Sequence, residues 1–413
     1  MLWGWGLMVA ALLLYCDFKE QAMLASSDYL MTFHTAGWIA GHGQWDILYP
    51  QPGAGTFHGE PFDVKAHELL PFLPDYSVAE YMYMPASAFL FLPFAVLPPN
   101  LSLFAFQLLS LACLFGSSLL IPAGTKMGRA FTQGLSLLTF LPTFLTLWIG
   151  QVGLVFGLFP LSCGYYLLSK KQDFPAGLVF SLLALKPQML VPAIFLLFLK
   201  LCQKQFSLAF GMVAGLIGLA FLNYALLGQK LLLSWFDCLK LSDRIYSDPA
   251  MGVPVRLATS LPRAILLSQP EQVRLTLKPY LYAGAVLLAC LGLALVFVLA
   301  RKASPMSEGD KLKSALILGC LALPCVVPHL FIYDLCVLAP AGFLVFAPVA
   351  AEGETFACLR PFLLMLWLSV TAYCMLLMSC PGVVSPLVLC GIILLVYVGA
   401  MLRLYAGRLK VRS

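Results

Sequence analysis

The chain has 413 residues, of which 61% are hydrophobic and only 11% are charged, and its net charge is +6. Soluble domains carry about 25% charged residues, so this composition and a mean hydropathy of +0.91 exclude a soluble globular protein. Repeated apolar runs of about 20 residues instead predict an all-α polytopic membrane protein. The thirteen cysteines are scattered and form no CxxC pair, so we expect neither a disulfide framework nor a zinc site.

The apolar runs predict about twelve membrane spans. The first run, "LWGWGLMVAALLLYC", lacks a basic start and a cleavage site, so we interpret it as a retained span and not as a signal peptide. The predicted spans cover residues 3–22, 100–122, 130–149, 151–169, 173–186, 187–200, 206–227, 279–301, 312–328, 330–350, 361–380 and 383–404.

Basic residues predict the orientation of these spans, because lysine and arginine accumulate in short cytoplasmic loops. Five short basic segments fit an inner location: Lys126/Arg129, Lys170/Lys171, Lys200/Lys204, Arg301 to Lys313, and the tail "RLYAGRLKVRS". Both termini are then cytoplasmic. Residues 85–99, "PASAFLFLPFAVLPP", are short and bounded by proline, which favours a re-entrant or interfacial helix.

Two long loops, which we expect to contain interfacial helices, are left on the outer side at residues 23–84 and residues 228–278. Residues 17–83 contain nine acidic residues and two lysines, a net charge of −7, whereas residues 228–278 contain seven basic and four acidic residues, a net charge of +3. Opposed acidic and basic loops suit a substrate with both hydroxyls and a phosphate. Two ordinary solvated loops would show the same charges.

Ionisable and polar side chains recur at four outer turns, at Asp28, Gln151, Lys186 and His329, with Asp334 a little further along the chain. Such groups at membrane depth often mark function. Each also has a structural alternative: Lys186 could extend to headgroups, Gln151 could join helices, His329 could be a satisfied interfacial residue, and Asp334 could hold a neighbouring helix. The presence of these side chains on the same side of the predicted membrane favours the functional interpretation.

A set of motifs occurs in a characteristic order: "SDY", "AGWIAGHGQWDILY", "YMYMPASAFLFLPFAVLPP", "GQVG", "LKPQ" and "HLFIYDL". This order resembles glycosyltransferase family 87 over about residues 25–340. The resemblance implies a single transmembrane domain of the GT-C fold over residues 1–413, which takes a sugar from a polyprenyl-phosphate donor. The first outer loop, residues 23–84, would be catalytic, and residues 228–278 would form a second, basic outer loop.

By this resemblance Asp28 is the general base of an inverting transfer, with His329 as hydrogen-bond donor or proton relay. The expected ligands of the donor phosphate are Lys186, Arg244, Arg256 and Arg263. The expected substrate-binding residues are Tyr29, His34, Tyr49, Tyr83, Gln151, Gln188 and Asp334. The aromatic residues could instead form an interfacial belt, and His34 could be only a polar residue of an amphipathic segment.

The resemblance further implies no cofactor and metal-independent chemistry, and the histidine and carboxylate spacings separately match no metal signature. A divalent ion is the alternative, since some GT-C enzymes use one. The partners would be the lipid-linked donor, a glycolipid or glycan acceptor and the bilayer, without nucleic acid. The sugar would be mannose or a pentose such as arabinofuranose, and the location a bacterial inner membrane with the active site facing outward. Three alternatives stay open: a transporter or flippase of lipid-linked sugars, a non-catalytic lipid-linked-sugar binder, and a lipid-linked-oligosaccharide ligase.

Overall fold

The computed structural model describes residues 2–20, 24–121, 127–249, 255–301, 306–346, 354–380, 382 and 384–410. Of the residues in these ranges, 79% are helical. Within the described ranges no strand is present, and an isolated bridge joins Ala258 to Phe331. The prediction of an all-α protein is confirmed.

The α-helices have the following bounds: Leu2–Lys19, Thr35–Gly41, Pro61–Leu69, Leu92–Ala95, Pro99–Leu120, Met127–Leu137, Leu141–Trp148, Phe159–Ser169, Asp173–Ser181, Leu190–Cys202, Ser207–Ile245, Leu261–Leu267, Glu271–Ala300, Glu308–Val326, Ala339–Phe346, Glu354–Ala357, Arg360–Ser379 and Pro386–Lys410. Shorter 3-10 or π-helical turns cover Tyr29–His34, Trp45–Ile47, Pro85–Phe91, Gly153–Leu158, Leu182–Leu185, Pro187–Met189, Val255–Leu257 and Ile332–Leu338.

Six helices in the described part of the chain are long and apolar enough to cross a membrane, or up to seven if one bent pair is a single span. They lie at Leu2–Lys19, Pro99–Leu120, Ser207–Ile245, Glu271–Ala300, Arg360–Ser379 and Pro386–Ala406, and the bent pair is Leu141–Trp148 with Gly153–Ser169. The chain is therefore a multi-pass helical membrane protein. The count of about twelve spans stays a prediction, because several predicted spans correspond to shorter apolar helices, such as Asp173–Leu185 and Pro187–Cys202.

The segment predicted as a second outer loop with interfacial helices, residues 228–278, is largely helical where the structure describes it, and its location outside the membrane stays a prediction. The helix Ser207–Ile245 continues past a break at Gly228, where φ is 75° and ψ is 172°. The helix Glu271–Ala300 begins well before the predicted start at residue 279 and contains Pro279 in its interior. Hydropathy locates only the lipid-facing part of each helix, and the helical hydrogen bonding extends beyond it.

The segment expected to be re-entrant or interfacial consists of the 3-10 helix Pro85–Phe91 and the short helix Leu92–Ala95. Neither is long enough to cross a bilayer, which needs about 20 helical residues. The next helix begins at Pro99, the last residue of the predicted segment. The depth of residues 85–99 in the membrane stays a prediction.

The chain divides into two compact units. Unit 1 comprises Met1–Cys113, Leu145–Val155 and Ile217–Val253, and its core is rich in buried aromatic side chains such as Tyr29, Phe33, Phe91 and Phe106. Unit 2 comprises Leu114–Phe144, Phe156–Leu216 and Pro254–Ser413, and the helix Glu308–Val326 is buried along most of its length. The single domain over residues 1–413 stays a prediction.

Substitution of Gly150 tests whether the turn in unit 1 needs a glycine at this position. The φ of Gly150 is +73°, and a Cβ built there would lie 2.3 Å from the Tyr29 Cβ. We expect Gly150→Ala to lose about 1–3 kcal/mol of unfolding free energy from the backbone alone, with more from the collision. Gly218 is the control, because a Cβ there meets no atom within 4 Å. Thermal unfolding in detergent should show a lower midpoint for Gly150→Ala than for Gly218→Ala, and equal midpoints would contradict the account of this turn.

Candidate active site

Asp28 lies where two distant segments of unit 1 are joined by hydrogen bonds. The Ser27 hydroxyl donates to the Ile149 carbonyl over 3.2 Å, and the Tyr29 N–H donates to the same carbonyl over 3.1 Å. The Gln151 amide Nε2 donates to Asp28 Oδ2 over 2.8 Å. Gln151 is buried, whereas Asp28 is partly exposed. Since a hydrogen bond to a carboxylate stabilises its ionised form, this contact holds the Asp28 side chain in place and favours its ionised form.

Tyr29 and His34 follow Asp28 in the chain, are buried, and contact the helix Pro99–Leu120. The Tyr29 hydroxyl and His34 Nδ1 each lie 3.0 Å from the Ser102 hydroxyl oxygen, and the Tyr29 ring stacks on the Phe106 ring at 4.5 Å. Burial lowers the pKa of His34 to about 4, so its imidazole is neutral at physiological pH. Both side chains support the segment that carries Asp28, and their predicted contact with substrate stays a prediction.

The tyrosine-rich segment, residues 79–86, is held in place from several directions. Asp63 Oδ1 accepts from the Ala79 N–H over 2.7 Å, and the Tyr49 hydroxyl donates to the Tyr83 carbonyl over 2.6 Å. The Tyr83 ring lies 4.9 Å from the Phe33 ring and is partly exposed. A partly exposed aromatic ring is suited to contact with a sugar, whereas Tyr49 is buried and acts through its hydroxyl.

One face of the helix Ser207–Ile245 contacts the tyrosine-rich segment. The Trp235 indole Nε1 donates to the Met82 carbonyl over 3.0 Å, the Ser242 hydroxyl contacts the Met82 sulfur, and the Tyr246 hydroxyl donates to the Glu80 carboxylate. Positions 235, 242 and 246 recur at helical spacing and therefore share a face. The sequence analysis missed Glu80 and Tyr246. The helical spacing within the predicted loop was the signal that could have identified this face.

Glu80 is a second carboxyl group that interacts with Asp28. Burial raises the pKa of Glu80 to about 7, with smaller contributions from Asp28 and Asp63 in the same direction, and the hydrogen bond from Tyr246 opposes the rise. Burial and the neighbouring Glu80 also raise the pKa of Tyr246 well above its ordinary value. Glu80 therefore titrates near neutral pH, unlike an ordinary glutamate.

Unit 2 contains a buried ion pair between two residues of the predicted site. Lys186 Nζ lies 2.5 Å from Asp334 Oδ1, and both side chains are 2% exposed. Asp334 Oδ2 also accepts from the Phe331 N–H over 3.2 Å, and the ammonium group lies 5.5 Å from the centre of the Tyr333 ring. Lys186 was predicted to bind phosphate and Asp334 to bind substrate, and the structure pairs them with each other.

His329 lies on a turn that is held by the segment around Arg263. Arg263 is buried, and its Nε donates to the Pro328 carbonyl over 3.1 Å. The Ser260 hydroxyl donates to the same carbonyl over 3.3 Å, and the His329 ring packs edge-on against Phe331 at 4.6 Å. His329 is partly exposed. The buried Arg263 therefore holds the backbone of this turn, next to a histidine that is accessible in part.

The other predicted residues are more accessible. Arg256 is exposed, and its carbonyl accepts from the Tyr373 hydroxyl over 2.6 Å. Arg244, in unit 1, is exposed, and Gln188 is partly exposed on the turn Pro187–Met189. Side chains with this exposure can meet a ligand without first breaking a buried contact.

No group of three histidine, cysteine or carboxylate side chains that could hold a metal is present in the part of the chain that the structure describes. The histidines of the acidic loop instead flank Asp63, with His58 Nδ1 at 3.4 Å and His67 Nε2 at 3.7 Å from its oxygens. Metal-independent chemistry stays a prediction.

The buried ion pair between Lys186 and Asp334 should stabilise unit 2. Removing one partner leaves an uncompensated buried charge, which costs about 3–5 kcal/mol. We therefore expect Lys186→Met to lower the unfolding free energy by that amount, and Lys186→Met/Asp334→Asn to recover most of it, since the amide keeps an acceptor for the Phe331 N–H.

Lys240→Met is the matched control, because its pair with Asp237 is exposed and such pairs contribute at most about 1 kcal/mol. Denaturant titration in detergent would measure all three variants. A single Lys186→Met variant as stable as the wild type would show that the pair does not stabilise unit 2.

Comparison with known proteins gives the family. A family model described as glycosyltransferase family 87 matches residues 81–327, which is more than half of the chain. No curated protein and no solved structure matched. Gln151, Lys186 and the three predicted phosphate-binding arginines lie inside the matched region, whereas Asp28 and His329 lie outside it. The chain belongs to glycosyltransferase family 87, as the order of its motifs predicted, and is a membrane glycosyltransferase.

Proposed function

We propose that this protein is an inverting glycosyltransferase that moves a sugar from a polyprenyl-phosphate donor to a hydroxyl of a glycolipid or glycan. The sugar is mannose or a pentose such as arabinofuranose. Asp28 is the general base, and the hydrogen bond that Gln151 donates to Asp28 over 2.8 Å is the observation that carries this proposal.

The chemistry needs one base. The acceptor hydroxyl gives its proton to the Asp28 carboxylate while its oxygen attacks the anomeric carbon from the side opposite the phosphate. The bond between that carbon and the phosphate oxygen breaks, and the lipid phosphate leaves with the electron pair, so the configuration inverts. A phosphate is stable as an anion and leaves without strong protonation. Glycoside hydrolases have an alcohol as leaving group, which must be protonated, and they use two carboxyl groups.

The geometry around Asp28 supports its assignment as the base. A base must be ionised before the reaction, and the Gln151 amide favours the ionised carboxylate. It must also be reachable, and Asp28 is partly exposed while its neighbours Ser27 and Tyr29 are buried. A positioned general base contributes roughly 10²–10⁴-fold to the rate.

The leaving phosphate carries developing negative charge and requires cations. Arg244 and Arg256 are exposed, so each side chain is accessible to a phosphate without first breaking a buried contact. Lys186 and Arg263 are buried and already bonded to Asp334 and to the Pro328 carbonyl, so their role in phosphate binding would require these contacts to open. Arg244 and Arg256 are therefore the stronger candidates of the four.

The remaining residues have subsidiary roles in this proposal. His329 donates a hydrogen bond or relays a proton, and Gln188 and Tyr83 contact the sugar. Tyr29, His34 and Tyr49 are buried and would act mainly by shaping the site. The enzyme would lie in a bacterial inner membrane, with both termini in the cytoplasm and the active site on the outer face, where the acidic loop is expected.

Asp28→Asn tests the base directly. We expect transfer of radiolabel from polyprenyl-phosphate mannose into membrane glycolipids to fall about 10²–10⁴-fold, because the amide cannot accept the hydroxyl proton. The measurement uses purified protein in nanodiscs with total membrane lipids as the acceptor pool.

Asp75→Asn serves as the control, since Asp75 is an exposed carboxylate of the same acidic loop, and it should keep the wild-type rate. Equal transfer by Asp28→Asn and wild type would remove Asp28 from this role. A wild-type enzyme that is inactive with the mannose donor and active with the arabinofuranose donor would identify the sugar and leave the comparison of variants unchanged.

A further inference from the structure

The helix Leu141–Trp148 ends at a turn whose carbonyl groups are bound by side chains and backbone from elsewhere in unit 1. An α-helix leaves its last four carbonyl groups without partners inside the helix, so other groups must pair with them. The Ile149 carbonyl accepts two hydrogen bonds from the segment around Asp28. The Trp148 carbonyl accepts from the Gln107 amide Nε2 over 3.2 Å.

Gln107 is a buried amide on an apolar helix. It lies on the helix Pro99–Leu120, which is long and apolar enough to span a membrane, and its side chain is 1% exposed. A buried amide without hydrogen bonds is costly. The bond to the Trp148 carbonyl uses its donor group, whereas its Oε1 has no partner among the described residues. The contact that this amide makes is therefore directed at the turn.

Two residues of the same helix contact the segment that follows Asp28. The Ser102 hydroxyl lies 3.0 Å from the Tyr29 hydroxyl, and the Phe106 ring stacks on the Tyr29 ring. Ser102 and Phe106 are four positions apart, so they share a face of the helix.

A second pair, one position further along the helix, contacts the turn before Gln151. Gln107 binds the Trp148 carbonyl, and Leu103 Cδ1 lies 3.0 Å from a Cβ built at Gly150. Leu103 and Gln107 are also four positions apart. One helix therefore holds both of the segments that meet in the proposed site.

We propose that Gln107 is a positioning residue that fixes the turn before Gln151, so that the Gln151 amide reaches the Asp28 carboxylate. This inference rests on the proposed function. Gln107 does not touch substrate and acts through the Trp148 carbonyl, three residues before Gln151. Without the Gln107 amide this carbonyl would lose a hydrogen bond, and the Gln151 side chain would be held less firmly against Asp28.

Gln107→Met tests the proposal, because it removes the amide and keeps the length of the side chain. We expect kcat to fall roughly two- to tenfold, which is the contribution of one neutral hydrogen bond. The donor KM should stay unchanged, since the base acts on the acceptor hydroxyl. The measurement is steady-state transfer in nanodiscs from radiolabelled polyprenyl-phosphate mannose, or from the arabinofuranose donor if that one is active.

Ser118→Ala is the matched control. It also removes a buried hydrogen bond from the helix Pro99–Leu120, but the acceptor is the Leu114 carbonyl of the same helix, at 3.1 Å. This variant should keep the wild-type kcat.

A double-mutant cycle separates positioning from a general effect on the fold. If Gln107 acts through Gln151, Gln107→Met should slow the wild-type enzyme and have almost no effect in Gln151→Leu. The same fold-change in both backgrounds would overturn the proposal, as would a wild-type kcat in Gln107→Met. Gln107→Asn keeps an amide that is one methylene too short for the Trp148 carbonyl. It should show the same pattern, and it replaces Gln107→Met if that variant does not fold.

A second readout needs no catalysis. Hydrogen exchange of the Tyr29 N–H reports on the turn, because this N–H donates to the Ile149 carbonyl beside Trp148. Exchange should be roughly two- to tenfold faster in Gln107→Met than in wild type, and equal exchange would contradict the proposal. If exchange is faster but wild type transfers no sugar from any polyprenyl donor, the proposed function fails while the effect of Gln107 on the turn stands.

Discussion

The hydrogen bond from the Gln151 amide to the Asp28 carboxylate joins positions 123 residues apart, and the proposed chemistry depends on it. Asp28 lies shortly after the first apolar helix, where burial of its neighbours would penalise an unpaired charge. The amide offsets that penalty while keeping the carboxylate basic, which a lysine or arginine partner would not do as well. Gly150 allows this contact, since its positive φ and missing Cβ let the turn approach Tyr29.

Three carboxyl groups of unit 1 differ in their surroundings, and these differences assign their roles. Asp63 accepts from the Gly59 and Ala79 N–H groups over 2.8 and 2.7 Å and holds two loop segments together. Asp28 accepts a hydrogen bond from an amide and is partly exposed, whereas Glu80 accepts one from a phenol and has its pKa raised to about 7 by burial. Nearby carboxyl groups with different surroundings have different pKa values, and proteins commonly use this difference to give each group its own role.

The class of the fold could be predicted because a chain that lies in lipid needs a low charged fraction and apolar runs of about 20 residues. The sequence also singled out Gln151 and Asp28, since polar residues are rare beside apolar helices and both lie at turns. The sequence did not locate the helix that follows Gly228 within the predicted outer loop, because a glycine next to charged residues resembles the start of a loop. Lys186 and Asp334 were both identified, but no local pattern shows that two residues so distant in sequence form a pair. Glu80 was missed for the same reason, because its state depends on Tyr246 and Asp28.

The most direct test of the central claim is a double-mutant cycle on the transfer rate with Asp28→Ala and Gln151→Leu. If Gln151 acts by holding the ionised base, Gln151→Leu should slow the enzyme on the order of tenfold when Asp28 is present, since a hydrogen bond to a charged group contributes about 1.5–3 kcal/mol. The same change should have almost no effect on the residual rate of Asp28→Ala, measured in single turnovers with radiolabelled donor. An equal loss in both backgrounds would contradict the account, because it would show that Gln151 acts independently of Asp28.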